Sequence, residues 1–369
     1  GIVSMRVKDV LSKLTPYQQG KQIKDIQKQF NIERIVKLSS NENPFGYSDA
    51  VKSYMSERAF DLNIHPDGHA SELRKALADK LAVQEDQLVF GSGSDELVQI
   101  ICRTFLYPGA RVVMASPTFP QYKHQALIEG AEIDEVPTID GYHHLEGMLD
   151  QITDDTNLVF ICAPDNPTGT LVTKESFEHF MEQCPKDVIV VLDEAYYEYV
   201  EEDVRLQSID YLKTYDNLIV LRTFSKAYGL AGLRVGYGIM NERLAVPLNT
   251  VRGPFNVSAV AQKLAEISLK DDQFIEDSVT KNRKNLNNMT AFLDEIGWSY
   301  YPSQTNFLLI STPIAGTDVF NRLIKEGFIV RPGELLGYPQ TIRMTIGKEE
   351  DMQALQNTLK TLHHELDGV

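Results

Sequence analysis

Between residues 87 and 240 the sequence returns repeatedly to a short, unbroken aliphatic run: "QLVF" (87–90), "RVVMAS" (111–116), "LVFICAP" (158–164), "VIVVLDE" (188–194), "LIVLRTFS" (218–225) and "RVGYGIM" (234–240). A strand with one wet face alternates apolar with polar residues, and these runs do not. They must be covered on both faces, the condition of a parallel sheet clad in helices. The stretches between them supply the cladding, for "DELVQIICRTFL" (95–106) and "TKESFEHFMEQC" (173–184) repeat their apolar residues at helical spacing. The expectation is an α/β fold with a mostly parallel sheet flanked by helices, forming a large domain over residues 46–255.

Past Pro254 the texture changes. Residues 257–297 read as helix, and strand-like runs follow at "TNFLLIST" (305–312), "FIVRPG" (328–333) and "TIRMTIG" (341–347), before a terminal helix from about 349. This pattern predicts a second, smaller α+β domain over 256–369, with the segment 1–45 packed against it.

Charge narrows the function. The chain of 369 residues carries a net charge of −16. Nucleic-acid surfaces are basic, so that class of partner is excluded, while a few arginines can still gather an anionic small molecule. No aliphatic run approaches the roughly 20 residues that span a bilayer, and the opening "GIVSMRVKDVLSKL" has no apolar core of signal type. The opening Gly in place of Met reads as a processing remnant. Cys102, Cys162 and Cys184 are too widely spaced for a disulfide framework or a zinc site. The expected location is the cytoplasm, without membrane or nucleic-acid partners and without a metal.

Ligands of a parallel α/β sheet bind beyond the carboxyl ends of its strands. The polar residues that close the runs therefore belong together: Ser94 and Asp95 after "VFGSG", Asn166, Asp193, Ser225 and Lys226, and Arg234. A helix amino terminus, two hydroxyls and an arginine bind phosphate. A carboxylate, an amide and an amine remain. Pyridoxal 5′-phosphate requires that set: a lysine to form a Schiff base with its aldehyde, a carboxylate to keep its ring nitrogen protonated, and donors to its phenolic oxygen. Each residue alone has a plainer reading. Asp193 could cap a helix, Asn166 could shape the "NPTG" turn, and Lys226 could end a strand in solvent.

The motifs "APDNPTG" (163–169), "DEAYYEY" (193–199) and "TFSKAYGLAGLRVGY" (223–237), in this order, closely resemble the fold-type-I pyridoxal-phosphate-dependent aminotransferases. The nearest likeness is to their histidinol-phosphate aminotransferase branch. It extends through "LTPYQQGKQI", "LSSNENPFG", "HPDGHASELRKALA", "GSGSDE", "VRGPFNVSAVAQ", "PSQTNFLLI" and "VRPGELLGYPQTIRMTIGKEED". The resemblance implies that Lys226 carries the cofactor and moves a proton at the substrate's Cα. It implies that Asp193 pairs with the ring nitrogen, and that Asn166 and Tyr196 bond the phenolic oxygen. It assigns the phosphate to Ser94, Asp95, Thr223, Ser225 and Arg234, and the ring stack to Phe119. Lys226, Asp193 and Tyr196 form the catalytic set.

Arg331 and Arg343 lie in apolar contexts, where an unpaired charge is costly, and arginine suits bidentate grasp of carboxylate or phosphate. The resemblance places the anionic end of the substrate on them, helped by Tyr17 and Asn43. It implies that histidinol phosphate and glutamate or 2-oxoglutarate share this site, within a homodimer serving histidine biosynthesis. Relatives on the same frame decarboxylate threonine phosphate or transaminate aromatic amino acids, and the sequence does not separate these. A non-enzymatic regulator on this frame would carry an added DNA-binding domain, for which the segment before Ser39 leaves no room.

One departure stands out. Where the family reads Tyr-Pro-Asp the chain reads His65-Pro66-Asp67. That tyrosine reaches the neighbouring subunit's cofactor phosphate, and His65 is expected to do the same with a shorter, pH-dependent side chain. His143, His144, His363 and His364, together with the acidic run "YEYVEEDVR" (197–205), read as solvated.

Overall fold

The computed structural model describes residues 5–17 and 22–367; the processed start inferred for the first residues lies outside the described residues. In chain order come α1 (Ile23–Phe30), β1 (Val36–Lys37), α2 (Asp49–Glu57), α3 (Ser71–Leu81), β2 (Leu88–Gly91), α4 (Gly93–Phe105), β3 (Arg111–Ser116), α5 (Pro120–Ile128) and β4 (Glu132–Pro137). Next are α6 (Leu145–Asp150), β5 (Thr156–Cys162), α7 (Lys174–Gln183), β6 (Ile189–Asp193), α8 (Ser208–Thr214), β7 (Leu218–Thr223), β8 (Gly236–Met240) and α9 (Glu242–Val251). The remainder is α10 (Ala259–Leu269), α11 (Asp272–Ile296), β9 (Phe307–Ser311), α12 (Gly316–Lys325), β10 (Phe328–Ile329), β11 (Arg331–Pro332), β12 (Thr341–Thr345) and α13 (Glu349–Asp367).

The aliphatic runs form one seven-stranded sheet in the order β2-β8-β7-β6-β5-β3-β4. Neighbours are parallel except at β8, which runs antiparallel to both β2 and β7. The reason is local. Residues 224–235 join β7 to β8 with one short 3-10 turn, Ala231–Leu233, and no α-helix, whereas parallel returns usually run through a helix. The edge strand β4 escaped the sequence reading because Glu132, Asp134 and Glu135 interrupt it. Charges on an edge discourage pairing with other chains.

Burial on both faces splits each run between two cores. In β6, Val190 and Leu192 join Phe177 and Phe180 of α7 on one face. Ile189 and Val191 join Leu97 and Ile101 of α4 and Tyr122 of α5 on the other. Each fully buried aliphatic side chain contributes roughly 1.5–3 kcal/mol. The same parity fixes the polar residues that follow. Asp193 falls on the α5 face, two residues after Val191. Arg222 follows Val220 toward α8, where its Nη2 donates to Ser208 Oγ at 2.9 Å, and its Nε lies 3.4 Å from Glu194 Oε1.

A smaller antiparallel sheet, β11-β12-β9, packs with α11, α12 and α13 around Trp298, Leu308, Ile342 and Leu355. The amino-terminal segment joins this unit: β1 pairs with β10, and Ile26 of α1 packs on Ile324 and Ile329. Helix α10 sits differently, since Ala261, Ala265 and Leu269 belong to the core shared by α3 and α7. The boundary expected at 255/256 thus precedes a helix that packs with the large sheet, and we propose that the division falls after α10. No described helix is long and apolar enough to cross a membrane. The segment after β7 is pressed tightly against the amino-terminal one. Gly229 has φ +71°, and a Cβ there would lie 1.9 Å from Gly46 O, so only glycine fits.

Candidate active site

Strands β5, β6 and β7 end at Cys162, Asp193 and Thr223, beside the start of α4 at Gly93. Beyond these ends lies one cavity. It is lined by Ser94, Asp95, Phe119, Asn166, Asp193, Tyr196, Thr223, Ser225, Lys226 and Arg234, together with Cys162 and Ala195. Every residue expected at the cofactor is present except His65, which is exposed, with its ring 4.8 Å from that of Phe255.

Asp193 is buried, and its two oxygens differ. Oδ2 accepts a hydrogen bond from the Tyr122 hydroxyl at 2.5 Å, whereas Oδ1 has no partner among the described residues. Burial pushes the carboxyl up to about 6, and the Tyr122 bond opposes that rise. Lys226 donates from Nζ to Ser40 O at 3.2 Å. Burial, reinforced by the Arg343 cation, lowers its amine to about 8. About a tenth of the molecules then hold a neutral amine at pH 7, far more than for an ordinary lysine.

At the other end of the cavity donors converge. Helix α4 begins at Gly93, whose φ is +79° and where a Cβ would sit 2.5 Å from Arg234 Nη2. A Cβ on Gly236 would meet Ser94 N at 2.7 Å, so glycines let the backbone close in here. Arg234 adopts φ 55°; its Nη1 donates to Ser225 Oγ at 3.3 Å, and its Nη2 lies 3.8 Å from Asp95 Oδ2. Thr223 Oγ1 accepts from Ser225 N at 3.0 Å. A helix amino terminus, a guanidinium and hydroxyls gathered at one end of a cavity are groups of the kind that bind phosphate.

Between these ends stand Tyr196 and Asn166. The Tyr196 oxygen accepts from Asn41 Nδ2 at 2.9 Å, leaving its own O–H to donate elsewhere. Asn166 Oδ1 accepts from Arg343 Nη1 at 2.7 Å, which turns its amide NH2 to other acceptors. Arg343 is buried; its Nη2 donates to Ser39 O at 2.8 Å, and its Nε lacks a partner among the described residues. Among the described residues it has no carboxylate partner, and burial lowers its guanidinium to about 10. Arg331 stands opposite Arg343 in the β11–β12 register, with its guanidinium 5.9 Å from the ring of the exposed Tyr17.

Several sequence expectations need correction. The Asn43 amide is fully engaged: Nδ2 donates to Ala227 O at 2.9 Å and Ser278 Oγ at 3.1 Å, while Oδ1 accepts from Phe45 N. It braces the Lys226 loop and has no group left for an anion. His143 is buried, its Nε2 3.1 Å from Asp165 Oδ1, beneath the turn that carries Asn166. The start of the acidic run is also interior, because Tyr199 and Val200 pack inward and Glu198 Oε1 is buried without a partner among the described residues. Two residues were missed, Tyr122 and Asn41. Face parity along β6 could have found Tyr122, whose helix covers the Val191 face; nothing local in "SSNENP" marks Asn41.

The profile of the family described as "Aminotransferase class I and II" matches residues 33–359. Histidinol-phosphate aminotransferase 2 of Oceanobacillus iheyensis is 55% identical over 363 residues, covering 98% of this chain and 100% of that one. Histidinol-phosphate aminotransferase of Geobacillus sp. (strain WCH70) is 50% identical over 355 residues, covering 96% and 97%. Among solved structures, histidinol-phosphate aminotransferase from Sinorhizobium meliloti in complex with pyridoxal-5′-phosphate superposes with a TM-score of 0.89 at 27% identity, covering 99% of each chain.

The electrostatics of Lys226 can be measured directly. Competitive labelling of the cofactor-free protein with an amine-selective reagent across alkaline pH is expected to give Lys226 a midpoint near 8. Arg343→Gln is expected to raise that midpoint, because removing a cation relieves the ammonium form. An ordinary lysine midpoint in the unaltered protein would contradict the assignment.

Proposed function

The chain belongs to the class I and II aminotransferases, and from that membership we propose that it transfers an amino group between L-histidinol phosphate and 2-oxoglutarate, giving imidazole-acetol phosphate and L-glutamate, with pyridoxal 5′-phosphate as cofactor. The observation that carries the reading is one cavity that brings together Asp193, whose buried Oδ1 has no donor among the described residues, the Lys226 amine, and the start of α4 with Arg234. A buried polar atom without a partner is costly, and a ligand that supplies the partner recovers that cost.

The residues fit the cofactor. Asp193 Oδ1 would accept from its ring nitrogen. Tyr196 O–H and the Asn166 amide would hold its phenolic oxygen, with Phe119 against the ring. The backbone N–H groups of Ser94 and Asp95, with Thr223, Ser225 and Arg234, would hold its phosphate. Lys226 would be its covalent attachment point. When bound, the cofactor supplies a cationic ring that withdraws electrons from the substrate's Cα.

The chain's own groups do the rest. Lys226 Nζ, with its lowered proton affinity, takes the proton from Cα and returns one to the carbon that receives the amine. Asp193, as an anion facing a buried cation, keeps the ring nitrogen protonated. Arg343 and Arg331 bind the anionic end of either substrate: the phosphate of histidinol phosphate in one half-reaction, a carboxylate of glutamate in the other. Asn41 orients the Tyr196 hydroxyl, and Asn43 steadies the loop that presents Lys226. One anion site serving two substrates in turn implies ping-pong kinetics.

A homodimer is part of the proposal. Around His65 the surface exposes Leu62, Ile64 and Phe255 at 81%, 63% and 51%, an apolar patch that an interface between two copies would cover. From there His65 would reach the other subunit's cofactor phosphate. Removing it by His65→Ala is expected to weaken pyridoxal phosphate binding several-fold, with His65→Tyr close to the unaltered protein. Equal affinities in all three would remove that role.

Substrate choice is testable by rapid mixing. The loaded protein, mixed separately with L-histidinol phosphate, threonine phosphate and phenylalanine, is expected to change its visible absorbance quickly with the first alone. Lys226→Ala should slow turnover by at least about 10²–10⁴-fold. Fast conversion of threonine phosphate with release of carbon dioxide would instead favour the decarboxylase relatives.

A further inference from the structure

We propose that Tyr122 is a positioning residue for the reaction: by donating its phenol O–H to Asp193 Oδ2, it presents Oδ1 to the cofactor ring nitrogen and keeps the shared proton on that nitrogen. The inference rests on the cofactor assignment above.

The geometry is specific. Tyr122 is fully buried, and its ring lies flat on Phe160, with centroids 4.4 Å apart and planes 7° from parallel. The Phe119 ring meets it edge-on at 5.3 Å and 77°. Clamped in this way, the phenol cannot swing, and its hydroxyl is held 2.5 Å from Asp193 Oδ2. Burial and the neighbouring carboxylate push the phenol well above its ordinary pKa, so it remains a donor. One oxygen of Asp193, a residue that lines the cavity, is thereby fixed, and the other is left without a partner among the described residues. A carboxylate that makes one strong bond on its inner side can rotate neither oxygen away from the ligand.

The proton balance follows from the neighbours. The titratable groups that act on Asp193 are Tyr122, Asp95 and Glu194, with Cys162 and Tyr196 also close, while Lys226 and Arg234 line the same cavity without forming an ion pair with it among the described residues. The Tyr122 hydroxyl and the Ala195 backbone N–H are therefore the donors that steady its negative charge. Loss of the hydroxyl would leave Asp193 more basic. The proton between Asp193 and the ring nitrogen would move toward the carboxylate, and the ring would withdraw electrons less.

The test uses the full chain loaded with pyridoxal phosphate carrying 15N in the ring. The nitrogen resonance is followed by NMR from mildly acidic to mildly alkaline pH. In the unaltered protein it is expected to stay at the pyridinium position. In Tyr122→Phe it should move toward the neutral pyridine position as pH rises, with cofactor binding about tenfold weaker or more. Site-specific 3-fluorotyrosine at 122 keeps the volume and gives a stronger donor. With its series carried on to the alkaline pH at which the unaltered signal itself begins to move, it is expected to hold the pyridinium signal to higher pH than the unaltered protein, and it decides the matter if Tyr122→Phe does not fold. A resonance in loaded Tyr122→Phe, or in the fluorotyrosine protein, that superposes on the unaltered one at every pH overturns this inference alone. Failure of the unaltered protein to bind pyridoxal phosphate overturns the cofactor assignment and this inference with it.

Discussion

Burying the Asp193 carboxylate, which forms no ion pair among the described residues, costs several kcal/mol, and the fold around it is arranged to meet that cost from one side only. The alternation of β6 delivers the side chain to the face covered by α5, where Tyr122 donates to one oxygen. The other oxygen has no partner among the described residues, and Asp193 lines a cavity that also holds the start of α4 and Arg234. A cationic ring bearing a phosphate would complete both ends together, which ties the sheet's handling of one acid to the chemistry of the whole site.

A second imbalance has the opposite sign. The chain carries a net charge of −16, yet Arg343, Arg331 and Lys226 converge where acids are scarce. Arg343 and Lys226 hold their protons less firmly than usual because both are buried and each faces another cation. An acidic protein with a cationic pocket is suited to anionic substrates: the overall charge governs long-range encounters, while buried guanidiniums bind at contact distance. The same pair can receive phosphate or carboxylate, because arginine grips either through paired N–H groups.

Much of this was legible before any coordinates. Doubly buried runs imply a covered sheet, ligands of such sheets sit at strand ends, and Asp193, Asn166, Ser225 and Lys226 all stand there. What escaped was set by tertiary register. Tyr122 reads as a core aromatic, and only its position above the Val191 face shows that its hydroxyl meets an acid. Asn41 reaches Tyr196 across 155 positions of sequence, and no local pattern encodes that contact. His143 looked like a loop histidine because its partner Asp165 lies in a different turn. Asn43 was assigned to a ligand, yet the chain folds back and uses its amide internally. The β4 edge was hidden by the charges that protect it.

The central claim is that these separated strand ends close around one cofactor molecule tethered at one lysine. Loading the protein with pyridoxal phosphate, reducing it with borohydride and mapping the digested peptides by mass spectrometry tests this directly. The account predicts a pyridoxyl group on Lys226, near one per chain, and none on Lys13 or Lys123 at the neighbouring mouth of the site. Label spread over several lysines, or concentrated on any other, would contradict it.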